Sequence, residues 1–136
     1  MIEKQLSLFL DNKPGVLAEV CKTLAEQGIN IRGLSVSDTV DHSMVRMIVS
    51  DPDKALHILG EHNTFVVEDD VLAVELSDKP GALGQIAQEF ARGKVNISYA
   101  YGTSDGPNAL IFIRVDDPKK GEQVLSGAKP KKKVRR

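Results

Sequence analysis

The sequence has a single cysteine, Cys21, and no tryptophan, and aromatic residues make up only 4% of it. One cysteine excludes an intramolecular disulfide framework and a cysteine-based zinc site, and it favours a reducing compartment. The longest purely apolar run covers about five residues, 109–113, whereas a membrane-spanning helix needs roughly 20. We therefore expect a cytoplasmic protein that makes no use of a membrane.

Charge of one sign does not dominate the chain, because its 18 basic residues are nearly balanced by 19 acidic residues. Six of the basic residues lie within the last eight positions, so residues 1–128 carry 12 basic and 19 acidic residues, a net charge of −7. An acidic body argues against a broad phosphate-binding surface. The basic tail, residues 129–136, is similar to a short nucleic-acid or localisation patch. We interpret it as a solvated chain end and expect no nucleic-acid partner.

The chain repeats itself at a shift of 66 residues. DNKPGVLAEVCKTLAEQGINI (11–31) aligns with SDKPGALGQIAQEFARGKVNI (77–97), and the same ungapped register aligns an Asp-Pro pair at 51–52 with one at 117–118. Because the Lys-Pro-Gly segment and the Asp-Pro pair recur in the same register, the sequence predicts two copies of one module. The expected modules are residues 1–68 and 69–136, and the three acidic residues at 68–70 predict an exposed joint between them.

Both copies have the same order of predicted elements. Alternating apolar residues predict a first strand around 6–10 and 72–76, and a Lys-Pro-Gly turn and an amphipathic helix follow each strand. Two further strands come next, and Asp-Pro then supplies a capping carboxylate and a first-turn proline for a second helix. Copy one ends on a strand at 65–67. The order βαββαβ predicts an α+β fold of two ferredoxin-like modules, with antiparallel sheets and helices on one face.

Copy two departs from this plan at its end. Its last strand should fall on 131–134, where three lysines, which strands disfavour, follow Pro130, which lacks a donor for a sheet. We expect that strand to be short, at an edge, or absent. A module of about 65 residues is marginally stable alone, so the copies should pack together or dimerise.

The common catalytic motifs are missing, since no GxSxG, HExxH, P-loop or GxGxxG pattern occurs. The three histidines, His42, His57 and His62, lack the spacing of paired metal ligands, and we interpret them as exposed polar residues. Acylphosphatases share the βαββαβ order but hold phosphate with an arginine in the loop after the first strand, and neither copy has one there. RNA recognition motifs also have the βαββαβ order and stack bases on aromatic residues of the first and third strands, where this chain has only Phe9 and Phe112, one in each copy. We predict no enzyme activity, no cofactor and no metal.

The repeated turn is the remaining candidate for a functional site. It reads Asn-Lys-Pro-Gly at 12–15 and Asp-Lys-Pro-Gly at 78–81, and its residue types could serve only to bend the chain from strand to helix. Each copy also places an asparagine, Asn30 or Asn96, after the helix. Within one module the turn and this asparagine lie at opposite ends of a helix. They therefore do not easily form one site within a module, but they can meet across an interface between two modules.

The strand, the PG-x-L turn, the helix, the Asn-Ile pair and the later Asp-Pro helix together resemble the ACT domain, a small-molecule-binding regulatory module. The resemblance covers residues 3–68 and about 70–128, and a chain of two such modules is similar to the free-standing tandem ACT proteins of prokaryotes. It implies a non-catalytic, allosteric regulatory protein that binds a free amino acid at ACT-domain interfaces. It also implies a homodimer that signals to a separate enzyme or transporter.

The resemblance further implies which residues hold the ligand. In the serine-sensing ACT domain of phosphoglycerate dehydrogenase, an Asn two residues before the Pro and the Asn of the Asn-Ile pair hold the amino acid across a domain interface. That family also uses a histidine two residues before the first Asn, where this chain has Leu10 and Leu76, so serine itself is not implied. The implied ligand-binding set comprises Asn12, Pro14, Gly15, Val16, Leu17, Asn30 and Ile31, and Asp78, Pro80, Gly81, Ala82, Leu83, Asn96 and Ile97.

These residue types suit the two charges of a free amino acid. N–H groups at the helix start after Gly15 or Gly81 can receive its carboxylate, aided by the positive end of the helix dipole. Side-chain oxygens of the Asn and Asp residues can accept hydrogen bonds from its ammonium group.

A second interpretation is a regulatory subunit in stable complex with a biosynthetic enzyme, similar to the small subunit of acetolactate synthase. That subunit has an ACT domain with a similar GxNI region. Its second half does not carry a second PG-x-L motif, whereas this chain does. A copurifying large subunit would favour this interpretation.

Overall fold

The computed structural model describes residues 1–134 and divides into two compact units. The N-terminal unit comprises Lys4–Asp69, and the C-terminal unit comprises Met1–Glu3 together with the chain from Asp70 onward. The described residues form β1 (Ile2–Asp11), α1 (Val16–Glu26), β2 (Ile31–Asp38), β3 (His42–Val49), α2 (Pro52–Glu61), β4 (Phe65–Ser77), α3 (Ala82–Arg92), β5 (Ile97–Asp105), β6 (Asn108–Val115) and α4 (Pro118–Val134). The predicted α+β fold with two ferredoxin-like modules is confirmed.

In the N-terminal unit the strands lie in the order β2-β3-β1-β4. β3 pairs antiparallel with β1 on one side and with β2 on the other. Because side chains alternate along a strand, the leucines of β1 share one face. They pack there with α1 and α2 in a core of Leu6, Leu8, Leu10, Val20, Leu24, Ile29, Val45, Met47, Val49, Ala55, Ile58 and Leu59.

In the C-terminal unit β6 pairs antiparallel with β4 and β5. Its core consists of Leu72, Val74, Phe90, Val95, Ile113, Val115 and Leu125. Ile2 packs against this core, and the Ala73 N–H donates a hydrogen bond of 2.7 Å to the Met1 carbonyl. The first residues of the chain therefore lie beside β4, in the position that the repeat assigns to the last strand of copy two.

The stretch 131–134 belongs to helix α4, and the described chain after β6 contains no strand. Of the three outcomes expected for this strand, short, at an edge or absent, the structure has the last. Lysine forms helices readily. Residues 135 and 136 of the basic tail lie outside the described residues.

The exposed acidic joint expected at 68–70 is also wrong. Glu68, Asp69 and Asp70 lie half-buried in the middle of β4, so the strands predicted at 65–67 and 72–76 are one continuous strand. The Arg114 guanidinium donates a hydrogen bond of 2.7 Å to the Asp70 carbonyl. Acidic composition suggested a loop, but no glycine or proline occurs between 65 and 77 to end the strand.

The Asp-Pro pairs begin α2 and α4 as predicted. Oδ1 of Asp51 accepts a hydrogen bond of 3.1 Å from the Lys54 N–H, and Oδ1 of Asp117 accepts one of 3.1 Å from the Lys120 N–H. Each bond satisfies one of the N–H groups that a helix start leaves without a partner. Among the described helices, none is both long and apolar enough to cross a membrane.

We predict that Asp51→Ala and Asp117→Ala each lower the free energy of unfolding by about 1 kcal/mol, because each removes a capping acceptor. Urea unfolding measures the change. Asp51→Asn and Asp117→Asn keep an acceptor oxygen and should unfold like the parent. Equal losses in the Ala and Asn variants would show that these side chains do not act as caps.

Candidate ligand site at the repeated turn

Each repeated turn passes from strand to helix through a left-handed glycine. Gly15 has a φ of 89° and Gly81 a φ of 88°, and each is the N-cap residue of the following helix. Any other L-residue would be strained at this φ, so glycine is a requirement of the turn. Neither α1 nor α3 has a side-chain cap. The first turn of each helix therefore presents N–H groups that no side chain satisfies.

Asn12 lies beside the connection between β2 and β3. Its Nδ2 donates a hydrogen bond of 3.3 Å to the Thr39 carbonyl, and its backbone N–H donates one of 3.0 Å to the Asp41 carbonyl. Within the described part of the chain nothing donates to its Oδ1. Because the amide nitrogen is held by Thr39, that oxygen is left as an acceptor beside the turn.

The C-terminal unit places Asp78 at the equivalent position. The Asp78 N–H donates a hydrogen bond of 2.8 Å to the Pro107 carbonyl, so the backbone of this turn is tied to the connection between β5 and β6. The difference between the copies is one of charge, since a carboxylate stands where copy one has an amide. Both residues are exposed, as are Pro14, Gly15, Pro80 and Gly81.

Asn30 and Asn96 lie at the other end of each unit. The Asn30 N–H donates a hydrogen bond of 3.0 Å to Oγ of Ser50, and the Asn96 N–H donates one of 3.0 Å to Oδ1 of Asp116. Strand β2 has eight residues and separates Asn30 from the connection that binds Asn12. At about 3.3 Å per residue this is roughly 26 Å. Turn and asparagine therefore lie at opposite ends of the module, as predicted.

A cavity of about 510 Å³ opens beside the turn of the N-terminal unit. Pro14, Gly15 and Val16, three of the predicted residues, line it. Three of its other lining residues are apolar, Leu10, Val20 and Leu59, and four are polar, Glu19, Thr23, His62 and Thr64. An apolar surface with a few polar groups is the usual composition of a small-molecule site.

The four polar residues of this cavity were not predicted from the sequence. Thr23 Oγ1 donates a hydrogen bond of 2.9 Å to the Glu19 carbonyl. The i,i+4 spacing of these two residues places them on one face of the helix after the turn, and this signal could have identified them as lining residues. His62 is exposed, as predicted, with Nδ1 2.9 Å from the Ile58 carbonyl. It follows α2, and only the tertiary fold brings that position beside the turn.

The remaining predicted residues lie in or near the cores, apart from one. Leu17 and Ile31 pack against the core of the N-terminal unit, and Ile97 packs against that of the C-terminal unit. Ala82 is half-buried at the start of α3. Leu83, the equivalent of Leu17, is instead 49% exposed. In the described residues no group of three or more His, Cys, Asp or Glu side chains could hold a metal ion.

A family model described as "ACT domain pair" matches residues 1–131. Among curated proteins, a D-3-phosphoglycerate dehydrogenase from Mycobacterium tuberculosis is 30% identical in an alignment 111 residues long, and the match covers 75% of this chain and 21% of that protein. The chain thus spans about a fifth of the length of the curated relatives it matches.

Two solved structures share the fold over nearly the whole chain. Protein BT0572 from Bacteroides thetaiotaomicron matches with a TM-score of 0.92 and 36% identity, covering 95% of this chain and 90% of that one. The regulatory subunit of aspartate kinase from Thermus thermophilus, in its ligand-free form, matches with a TM-score of 0.69 and 18% identity, covering 92% and 91%. At that identity the second likeness shows a common fold.

Proposed function

The chain belongs to the ACT domain pair family, and on that basis we propose that it is a non-catalytic regulatory protein that binds a free amino acid. The ligand changes the activity of a separate enzyme or transporter. The observation that carries the proposal is the pair of helix starts without side-chain caps, each behind a left-handed glycine in the same sequence context. The match to about a fifth of D-3-phosphoglycerate dehydrogenase supports a module that accompanies metabolic enzymes.

The ligand's carboxylate is received by N–H groups in the first turn of α1 or α3. Glycine at the N-cap lets the carboxylate approach the backbone, and the positive end of the helix dipole favours an anion there. Beside α1, Oδ1 of Asn12 accepts a hydrogen bond from the ligand's ammonium group. Hydrogen bonds to charged groups contribute roughly 1.5–3 kcal/mol each. Two or three of them, less the cost of ordering, give a dissociation constant between about 1 μM and 1 mM.

The cavity beside Gly15 takes the ligand's side chain. Its apolar lining of Leu10, Val20 and Leu59 suits carbon atoms, while Glu19 and His62 offer polar partners at its border. The two copies differ, because the negative charge of Asp78 attracts an ammonium group more strongly than Asn12 does but tolerates a nearby carboxylate less.

The complete site includes Asn30 or Asn96 from a second copy of the chain, and the protein is therefore proposed to be a homodimer. In the N-terminal unit the length of β2, roughly 26 Å, separates the connection that binds Asn12 from Asn30. Exposed apolar side chains favour association: Leu34 and Val36 on β2, a strand at the edge of its sheet, are 44% and 50% exposed.

We predict that Gly15→Asp and Gly81→Asp abolish amino-acid binding at the affected turn, because the new carboxylate repels that of the ligand. Gly15→Asn and Gly81→Asn are the matched controls, since asparagine has the same shape without the charge and tolerates a left-handed φ. They should weaken binding without abolishing it. Calorimetry against each of the common amino acids makes the measurement. Folded Asp variants that bind like the parent would rule out both turns.

A second prediction concerns the asparagines. Asn30→Ala and Asn96→Ala should weaken binding by roughly 10- to 150-fold, through loss of one charged hydrogen bond. Both asparagines use their backbone N–H groups to bond Ser50 and Asp116, and alanine keeps those bonds. Stability measured by urea unfolding should therefore stay the same. Unchanged affinity in both variants would remove the asparagines from the site.

A third prediction concerns assembly. Sedimentation velocity should show a dimer at micromolar concentration, and Val36→Lys should shift the population towards monomer by placing a charge on the edge strand. Val40→Lys is the matched control, because Val40 is 91% exposed in the connection after β2. It should leave the dimer intact. A monomer at every concentration would contradict the shared site.

A further inference from the structure

The C-terminal unit has a groove along the edge of β4. Its volume is about 750 Å³, and it lies between the strand residues Ala73–Leu76 and the helices α3 and α4, which contribute Ile86 and Leu125. Residues 78–82 of the turn, all of which the structure describes, do not line it. This edge groove is therefore distinct from the candidate ligand site at Gly81.

The backbone of β4 directs hydrogen-bonding groups towards the edge groove. The Ala73 N–H donates a hydrogen bond of 2.7 Å to the Met1 carbonyl, and the Met1 ammonium group donates one of 3.4 Å to the Ala73 carbonyl. Two residues that exchange both bonds form the hydrogen-bonded pair of an antiparallel ladder, and such pairs recur at every second residue. The N–H and C=O of Glu75 therefore point to the same side as those of Ala73. The described residues on that side end at Met1, so an added strand can continue the ladder opposite Glu75.

The N-terminal unit shows what a complete module holds at the equivalent position. There β4 begins at Phe65 and lies next to β1. The ring of Phe65 lies 5.2 Å from that of Phe9, and Val66 packs against the core. The repeat equates Phe9 with Glu75. Among its described residues, the C-terminal unit therefore has no counterpart to the segment that begins with Phe65 and Val66.

The side of the edge groove that faces the helices is apolar. Val74 and Leu125 belong to the core of the C-terminal unit, and Leu76 and Ile86 pack against it. A residue placed directly opposite Val74 has its side chain on the same face of the sheet. It takes the place that Val66 has in the N-terminal unit, and an apolar side chain suits that place.

The other side of the added strand would meet a carboxylate. Because side chains alternate along a strand, Glu75 lies on the face opposite Val74 and Leu76, and it is exposed. A charge at a strand edge disfavours unselective pairing with other strands. Opposite charges directly across a pair of strands stabilise the pairing, and like charges destabilise it. Glu75 therefore favours a lysine or arginine in the strand beside it.

We propose that the edge groove binds an extended segment of a separate protein, which adds to the sheet as a strand antiparallel to β4. The segment has a lysine or arginine opposite Glu75 and apolar residues opposite Val74 and Leu76. Its backbone hydrogen bonds supply affinity, and the alternation of apolar and basic side chains supplies selectivity. The groove is additional to the amino-acid site at the turns and does not depend on it.

The test uses the 136-residue chain and three tetrapeptides capped at both ends. Acetyl-Lys-Val-Lys-Val-amide, laid antiparallel to β4, places its valines opposite Leu76 and Val74 and its second lysine opposite Glu75. We expect NMR titration to give a dissociation constant of roughly 1 mM, in the usual range for so small a ligand. The amide protons of Glu75 and Ser77 should shift most, because they gain hydrogen bonds.

Two further peptides separate charge from backbone pairing. Acetyl-Glu-Val-Glu-Val-amide reverses the charge of the lysine peptide. A lysine peptide methylated on the backbone nitrogen of its second lysine keeps the charge but loses the N–H that pairs with Glu75. Each should bind at least about fivefold more weakly than the lysine peptide.

A charge-reversal variant places the binding at the edge groove. Glu75→Lys should make the glutamate peptide bind at least about fivefold more tightly than the lysine peptide. Glu26→Lys is the matched control, because it makes the same charge change at an exposed residue of α1. It should leave the preference for the lysine peptide unchanged. Both glutamates are exposed, so neither change should lower the thermal midpoint.

Four results would each overturn the proposal. The first is no shift change with the lysine peptide at about 10 mM, tenfold above the expected constant. The second is equal affinity for all three peptides. The third is a parent-like preference in Glu75→Lys. The fourth is a shift of Glu75→Lys towards monomer in sedimentation velocity, which would show that a second copy of this chain occupies the groove. Turn variants that lose amino-acid binding should still bind the lysine peptide, so the two proposals fail independently.

Discussion

The positions of both candidate turns depend on where β1 and β4 end. β4 runs without interruption from Phe65 to Ser77, so its first residues belong to the N-terminal unit and its later residues to the C-terminal unit. β1 is divided in the same way, because Met1–Glu3 belong to the C-terminal unit. Both strands end directly before a Lys-Pro-Gly turn. The ends of β1 and β4 therefore determine where the two left-handed glycines lie, at the starts of α1 and α3.

The proposed chemistry follows from what these helix starts leave unsatisfied. A side-chain cap would occupy the first N–H groups, as Asp51 and Asp117 do at α2 and α4. α1 and α3 have glycine there and no side-chain cap. The same chain thus caps two helix starts with its own carboxylates and leaves two without a side-chain cap, where we propose that the ligand's carboxylate binds. This contrast within one molecule supports a ligand better than the glycine turn does alone.

The sequence predicted the features that depend on neighbouring residues along the chain. The repeat, the βαββαβ order, the Asp-Pro caps and the separation of Asn12 from Asn30 all rest on such local signals. The continuous β4 was missed because three acidic residues suggest exposure, whereas burial is decided by what packs on the strand. The pairing of Met1 with Ala73 joins residues 72 positions apart, and no local pattern indicates it. No local pattern predicted that His62 and Thr64 line the cavity beside Gly15, or that Phe65 contacts Phe9, because these contacts also depend on the tertiary fold.

The central claim is that the repeated turns bind a free amino acid, and a thermal-shift screen of the unmodified chain against each common amino acid tests it most directly. A ligand present at 100 times its dissociation constant adds about 2.7 kcal/mol to the stability of the folded state. We predict that at least one amino acid raises the thermal midpoint in proportion to the logarithm of its concentration. No shift with any amino acid at about 100 mM, which is 100 times the weakest constant proposed, would contradict it.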